Sequence, residues 1–189
     1  MIEILFFSFE IFLKYSILYF LLFFTGRSFI LIIEFLYFKN RKVPDSLLKI
    51  KSGILFPIIG IFTVSNLLIF LNFFIPLKSP LIFLILIFFN LGNILQINKT
   101  NLKEFINLNN FICYVVFPSI LLISSSDINF HYDAGYYHLN HQNWLRESNL
   151  IIGMVNIFWA FGMSSVYEYI SAILWVDKSF LLLHFLSLI

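Results

Sequence analysis

The segment from Asp127 to Arg146 concentrates the side chains that could do chemistry. It contains two aspartates and three of the chain's four histidines, in a protein that is 60% hydrophobic and only 12% charged. Carboxylates and imidazoles exchange protons near neutral pH, and both can bind metal ions. The titratable side chains of this segment and its immediate neighbour are Asp127, His131, Asp133, His138, His141, Arg146 and Glu147.

Two of these histidines, His138 and His141, are three residues apart. A helix that begins near Tyr136 would bring both onto one face. Asp133 would then lie at the N-terminus of that helix, where free backbone N–H groups and the helix dipole favour a carboxylate. Asp133 is therefore interpreted either as a helix cap or as a general base, and the two roles are compatible.

A divalent metal site is a further interpretation of the same residues. It would use His138 and His141 together with Asp133 or His131, because two imidazoles and a carboxylate form a common zinc ligand set. No other cofactor is indicated. The structural alternative is that the tyrosines and Trp144 form an aromatic belt at a membrane surface, while Arg146 and Glu147 form a solvated pair.

The composition indicates an integral membrane protein. The chain has 189 residues, 26 of them Phe, and its mean hydropathy is +0.93. Soluble domains do not have such long apolar stretches. The basic residues occupy short loops and form no basic face, which argues against nucleic-acid binding. The single cysteine, Cys113, excludes a disulfide within the chain.

The apolar stretches predict four membrane spans. A bilayer core about 30 Å thick requires roughly 20 helical residues, which fits spans at about 4–24, 52–76, 79–97 and 106–126. Within the first span, Glu10 and Lys14 are four residues apart, so they can pair on one helix face; a buried functional site is the alternative. Lys78 lies between two prolines and predicts a turn. Pro57 and Pro118 are predicted inside helices, which membrane proteins tolerate.

The basic residues of the loops predict the orientation. Cytoplasmic loops are rich in Lys and Arg, and those between the first two spans and between the last two fit this rule. The N-terminus and the segment 127–178 are therefore predicted to be extracytoplasmic. The residues concerned are Lys39, Arg41, Lys42, Lys49, Lys51, Lys99 and Lys103.

The C-terminal part predicts a surface helix. Val166, Tyr169, Ile170 and Ile173 recur at helical spacing, with Glu168 and Ser171 off that face. The apolar residues 179–189 are too few to cross a bilayer, so we expect them to begin a fifth span of a longer protein; the alternative is that they pack on the surface. The predicted fold class is all-α: a polytopic transmembrane helical protein with an extracytoplasmic loop and a juxtamembrane amphipathic helix.

The sequence from Asp133 to Leu139, DAGYYHL, resembles a known motif. It is similar to the D-x-x-x-Y-H-L-P motif in the first large extracytoplasmic loop of bacterial GT-C-type membrane glycosyltransferases, such as the ArnT-type enzymes and the protein O-mannosyltransferases. Asn140 stands where that motif usually has proline. The resemblance covers about residues 127–175, including Trp144 and the region around Gly162 that precedes the surface helix.

The resemblance implies an enzyme of the bacterial inner membrane that transfers a sugar from a polyprenyl-phosphate donor. It implies that Asp133 is the general base that deprotonates the acceptor hydroxyl. From position and charge, His138 is a second catalytic candidate and Arg146 is a candidate for binding the substrate. Tyr137 and His141 are further candidates for binding it. Besides the lipid-linked sugar, membrane lipid is the expected partner.

The sequence is also compatible with two non-enzymatic interpretations. The chain could be a multi-pass membrane protein that binds a partner or an ion, or a fragment of a transporter. The three later spans carry no charged side chain that could line a translocation path, which argues against a transporter. The clustering of polar residues in one loop argues against a simple scaffold.

Overall fold

The computed structural model describes residues 2–37, 52–95, 107–125, 132, 134–162, 165–175 and 181–189. Every regular element in these residues is helical, and they contain no strand. The predicted all-α class is therefore confirmed. Helices α1 (Ile2–Tyr37), α2 (Ser52–Asn72) and α3 (Pro80–Leu95) are the long elements.

Two of the helices are long and apolar enough to cross a membrane by length and composition. The qualifying parts are Leu5–Tyr37 within α1 and Gly53–Asn72 within α2. Two shorter apolar helices, Pro80–Leu91 and Leu108–Ser124, accompany them. α1 is continuous, so the predicted first span and the segment that follows it form one helix.

Glycines let α1 and α2 approach until their backbones touch. A Cβ atom added to Gly60 would lie 2.0 Å from the carbonyl oxygen of Leu22, and one added to Gly26 would lie 1.9 Å from that of Phe56. Neither distance is physically possible for a side chain. This crossing therefore requires glycine on both helices, as in close helix pairs of membrane proteins.

Each proline inside a helix frees a carbonyl, and a tyrosine of α1 binds it. Pro57 has no N–H to give to the carbonyl of Gly53 four residues earlier, and the Tyr19 hydroxyl donates to that oxygen at 2.7 Å. The tyrosine replaces the missing helical bond. The prediction that Pro57 lies inside a helix is confirmed.

The same arrangement recurs in the next apolar helix. Here a π-helical turn, Ile112–Val116, joins α4 (Leu108–Phe111) to α5 (Phe117–Ser125). Pro118 lies in the first turn of α5, inside the apolar helix as predicted, and has no N–H to give to the carbonyl of Tyr114 four residues earlier. The Tyr15 hydroxyl donates to this oxygen at 3.3 Å.

Two further pairs of polar side chains lie within the bundle. The buried Asn90 amide donates to the hydroxyl of Thr25 at 2.9 Å, which links α3 to α1. Lys14 Nζ lies 2.5 Å from Glu10 Oε1, one helical turn away. The predicted Glu10–Lys14 pair is therefore confirmed.

The predicted turn around Lys78 is also confirmed. α2 ends at Asn72 and α3 begins at Pro80, so the predicted span 52–76 finishes within the turn rather than as helix. Proline suits the first position of a helix because its missing N–H would have had no helical partner there.

The remaining elements are short. A π-helical turn, Ala134–His138, leads into α6 (Leu139–Glu147), and α7 (Val166–Ile173) follows later. Short 3-10 helices cover Met154–Asn156 and Trp159–Gly162. A longer one, Leu181–Leu188, lies where the sequence predicted the start of a fifth span. Its Phe185 is fully buried, and the ring contacts that of Tyr15.

α6 is attached to the turn between α2 and α3. The backbone N–H groups of Leu77 and Lys78 donate to the carbonyls of Leu145 and Arg146, at 3.0 and 3.1 Å. The buried Asn72 amide also donates to the carbonyl of Leu145, at 3.1 Å. These bonds fix α6 at the end of the bundle where α2 finishes.

Candidate functional site

Glu168 is a buried carboxylate in α7, with only 4% of the residue exposed. The rest of α7 from Tyr169 to Ile173 is buried as well. Taking an ionised carboxylate out of water costs several kcal/mol unless partners replace the water. The sequence pattern assigned Glu168 to the polar side of a surface helix, so its burial is a correction, and its partners explain it.

Those partners are the two histidines of the Asp127 to Arg146 segment. His138 Nδ1 lies 2.5 Å from Glu168 Oε1, and His141 Nδ1 lies 2.5 Å from Glu168 Oε2. Each carboxylate oxygen thus meets one imidazole ring. The two histidines contact the same carboxylate group because they share one face of the chain around the start of α6, as their spacing predicted.

The histidines determine the charge of the carboxylate. Burial raises the pKa of Glu168, but the hydrogen bonds from His141 and His138 oppose burial and outweigh it, so the pKa lies below its usual value. An ionised carboxylate only accepts hydrogen bonds. Each Nδ1 must therefore carry a hydrogen, and in a neutral ring the Nε2 atom then holds the lone pair.

The three members of the cluster differ in exposure. The side chain of His138 is 42% exposed, whereas that of His141 is 8% exposed. His138 is therefore the member that can touch a substrate, and Glu168 and His141 lie behind it. Tyr137 lies beside it, with the two ring centres 4.2 Å apart.

Arg146 connects α6 to the other end of α7. Its Nη1 donates to the carbonyl of Ala172 at 2.6 Å, near the helix C-terminus, where unpaired carbonyls favour a cation. The guanidinium also lies 5.3 Å from the ring centre of Trp175. The indole N–H of Trp175 donates in turn to Gln142 at 2.8 Å.

The interpretation of Arg146 and Glu147 as one solvated pair differs from the structure. Glu147 instead pairs with Lys78 of the α2–α3 turn, at 2.9 Å. Arg146 is directed to α7 because α6 presents neighbouring residues to different sides. Arg146 therefore holds the two short helices together, and Glu147 faces the bundle.

An aromatic chain connects the site to the 3-10 segment. The rings of Tyr132 and Tyr136 stack at 5.5 Å, and Tyr136 meets Phe158 edge-on at 5.5 Å. Phe158 contacts Phe161, which contacts Trp144 at 4.5 Å. The side-chain amide of Asn140 donates to the carbonyl of Tyr136 at 3.0 Å. At the position where the resembled motif has proline, this chain therefore adds a donor to the π-helical turn.

Three sequence candidates, Asp127, His131 and Asp133, lie outside the described residues. The proposed general base and the third ligand of the predicted metal site are both among them. In the described part of the chain, no group of three or more His, Cys, Asp or Glu side chains is arranged to hold a metal ion. The Nδ1 atoms of His138 and His141 face the carboxylate of Glu168.

Glu168 is the functional candidate that the sequence reasoning missed. A signal was present, because Glu168 is the only charged residue between Glu147 and Asp177. A single carboxylate in such an apolar stretch is expected either at a water-exposed edge or with buried partners. The local helical pattern alone favoured the first alternative.

Comparison with known families identifies the group to which this all-helical chain belongs. Residues 4–188 match the family described as Domain of unknown function (DUF8201). The match covers nearly the whole sequence, so the chain belongs to that family. No curated protein and no solved structure matches the chain.

Proposed function

We propose that this chain is the membrane part of a glycosyltransferase that uses a polyprenyl-phosphate sugar at the extracytoplasmic face of the bacterial inner membrane. The observation that carries the proposal is the cluster of Glu168, His138 and His141. A buried carboxylate orients two imidazoles, and one of them is accessible. Buried ionisable groups held in this way are typical of catalytic sites.

The position of the cluster relative to the bundle supports the proposed membrane setting. α2 contains a stretch of bilayer length, Gly53–Asn72. α6 is hydrogen-bonded to the turn directly after that stretch. If α2 crosses the bilayer, the cluster lies near the membrane surface, which is where the phosphate of a lipid-linked donor would lie. Because the basic loops are expected in the cytoplasm, we propose that the cluster faces the extracytoplasmic side.

In the proposed reaction, a carboxylate takes the proton of the acceptor hydroxyl. The oxygen then attacks the anomeric carbon of the sugar. The bond from this carbon to the phosphate oxygen breaks, and the electron pair leaves with the polyprenyl phosphate. The resemblance of the DAGYYHL segment assigns the role of base to Asp133. A metal ion is not required by this scheme.

The side-chain exposures of the cluster residues suggest their roles in this reaction. His138 is the member of the cluster that can meet the leaving phosphate, and a protonated imidazole there would stabilise the charge that develops. Glu168 and His141 are positioning residues that hold the ring of His138. We assign Arg146 a positioning role as well, because it binds the end of α7. Tyr137 packs beside His138 and would line the donor site.

The proposal is tested by sugar transfer in membranes that contain the protein expressed from its complete gene. The probes are radiolabelled hexoses and pentoses on undecaprenyl phosphate. Asp133→Asn is expected to lower transfer at least about 100-fold, because a general base contributes that much or more. His138→Gln is expected to lower it substantially, and Asn149→Ala, an exposed position, serves as the matched control. Transfer unchanged in both Asp133→Asn and His138→Gln, or absent for every probe, would overturn the proposal.

A second candidate function is ion binding without catalysis. The observation that favours it is the use of both Nδ1 atoms by Glu168, since metal-ligating histidines commonly direct their other nitrogen to a carboxylate. Purified protein would then retain a divalent metal, measured by mass spectrometry, and His138→Gln would release it. A metal-free protein that transfers sugar after treatment with EDTA excludes this alternative.

A further inference from the structure

We infer that the segment from Leu150 to Gly162, here called the anchor segment, is immersed in the outer surface of the lipid bilayer. Two of its aliphatic side chains are largely exposed: Ile152 is 88% exposed and Ile157 is 75% exposed. The inference rests on the proposed membrane setting of the bundle, but it does not depend on the proposed transfer of sugar.

The exposed side chains belong to one side of the segment. Met154 and Ala160 are buried, and Phe158 and Phe161 form ring contacts with the site. The exposed side chains are large apolar groups together with the amide of Asn156, and none of them is charged. The apolar ones are Ile151, Ile152, Val155, Ile157 and Trp159. Such two-sidedness is typical of elements that lie in a membrane interface.

Lipid fits this surface better than water does. From Ser148 to Tyr167 the sequence contains no charged residue. A tryptophan at the exposed side, Trp159, belongs to the type that prefers the boundary between headgroups and acyl chains. An apolar patch left in water would instead be a liability for aggregation.

The segment also continues the apolar surface of α2. The N–H of Leu150 donates to the carbonyl of Asn72 at 2.8 Å, so the segment starts where α2 ends. Phe73 and Phe74, which follow Asn72, are exposed as well. The anchor segment therefore begins beside exposed phenylalanines at the end of the proposed span. This continuity is the reason to assign lipid rather than a protein as the occupant.

The backbone is suited to shallow immersion. Groups that leave water must find partners within the protein. Here the N–H groups of Asn156 and Ile157 donate to the carbonyls of Gly153 and Met154, each at 2.9 Å. Gly153 has a φ of 90°, a left-handed conformation that glycine adopts readily. It allows the chain to turn sharply before the first of these bonds.

The anchor segment is connected to the functional cluster. Phe158 on its packed side meets Tyr136, which lies in the same π-helical turn as His138. The depth of the segment in the lipid would therefore set the height of His138 above the membrane. A lipid-linked substrate would be presented to the cluster at that height.

Fluorescence of single tryptophans tests the inference. The chain has three Trp, so two substitutions leave one of them as the probe. One variant keeps only Trp159, through Trp144→Phe and Trp175→Phe. The matched control keeps only Trp175, whose indole contacts Gln142 and Arg146. Each is reconstituted in phosphatidylcholine vesicles with or without bromine on the acyl chains. Bromine is expected to quench Trp159 at least about threefold more strongly than Trp175, since an interfacial element buries its apolar face among the chains.

A second variant keeps the test decisive if the single-tryptophan proteins are altered. Ile152→Ser with Ile157→Ser, in the protein that keeps only Trp159, should reduce the quenching by bromine while thermal stability in detergent stays unchanged. Equal quenching of Trp159 and Trp175, or strong quenching of Trp159 by aqueous iodide alone, would overturn the inference. Protein that inserts and is quenched as expected but transfers no sugar would leave it intact and reject only the proposed function.

Discussion

The helix bundle and the α6–α7 unit differ in the hydrogen-bond partners of their buried polar groups. In the bundle, Tyr19 and Tyr15 donate to carbonyls that prolines have freed. Each of those hydroxyls donates a hydrogen bond that the proline of the neighbouring helix cannot donate. In the α6–α7 unit, the buried carboxylate of Glu168 meets two titratable rings instead of backbone groups. The first arrangement stabilises a structure, whereas the second holds groups whose protonation can change.

This difference indicates where chemistry can occur. A tyrosine hydroxyl bound to a carbonyl has a neutral partner and a fixed role. An imidazole bound through Nδ1 keeps its other nitrogen for a ligand, and among the described residues none hydrogen-bonds the Nε2 atom of His138. The bundle therefore holds the two short helices, and these carry the titratable groups on which the proposed function depends.

The largest effect is expected at the contact of α1 and α2. Gly60→Ala would force a methyl group against the backbone carbonyl of Leu22, so we expect a loss of about 3 kcal/mol or more in the free energy of unfolding. Gly135→Ala is the matched control, since no atom lies within 4 Å of its added Cβ. Thermal unfolding in detergent measures both. Equal midpoints would show that this crossing does not hold the bundle together.

A smaller but still large effect is expected from Glu168→Ala. It leaves His141 buried without its charged partner, which costs about 1–3 kcal/mol. Glu168→Gln keeps the shape and loses the charge, so most of the stability should remain. Under the proposed function, the rate of sugar transfer should nevertheless fall about 10- to 100-fold, as for other residues that orient a ligating or reactive histidine. If transfer falls only in step with folded protein, Glu168 is a structural residue.

The sequence predicted the bundle better than the site. Apolar length located α1 and α2, and the prolines around Lys78 located the turn, because these are local properties. The hydrogen bonds from tyrosines to the carbonyls near the prolines were not predicted, since Tyr19 and Gly53 are far apart along the chain. Glu168 was missed for the same reason. Its helix has a clear local pattern, yet α6 covers the side that this pattern assigns to solvent.

In the bundle, Tyr19→Phe should cost about 1 kcal/mol, the usual net value of a hydrogen bond. Its physical cause can be isolated with Pro57→Ala, which restores an N–H for the carbonyl of Gly53. In that background the cost of Tyr19→Phe should shrink, because the carbonyl already has a helical donor. Chemical unfolding of the four proteins measures the coupling. Strictly additive effects would contradict the link between the proline and the tyrosine.

Acid should affect the α6–α7 unit through Glu168. Its pKa is lowered in the folded protein, so the unfolded chain binds the proton more readily. The stabilisation is complete above the usual pKa of a glutamate and is lost as the pH falls through the lowered value. The gap in unfolding midpoint between the native protein and Glu168→Gln should therefore be larger at pH 7 than at acidic pH. A gap independent of pH would mean that the charge of Glu168 does not contribute.

The smallest effect is expected where the two regions meet at the surface. Lys78 and Glu147 form an ion pair with both side chains about half exposed, and such pairs contribute about 0–1 kcal/mol. The backbone N–H groups of Leu77 and Lys78 still bind α6 when the side chain is removed. Lys78→Ala should therefore lower the unfolding midpoint only slightly, and high salt should weaken even that difference. A large loss would mean that the ion pair, rather than the backbone, holds the α6–α7 unit on the bundle.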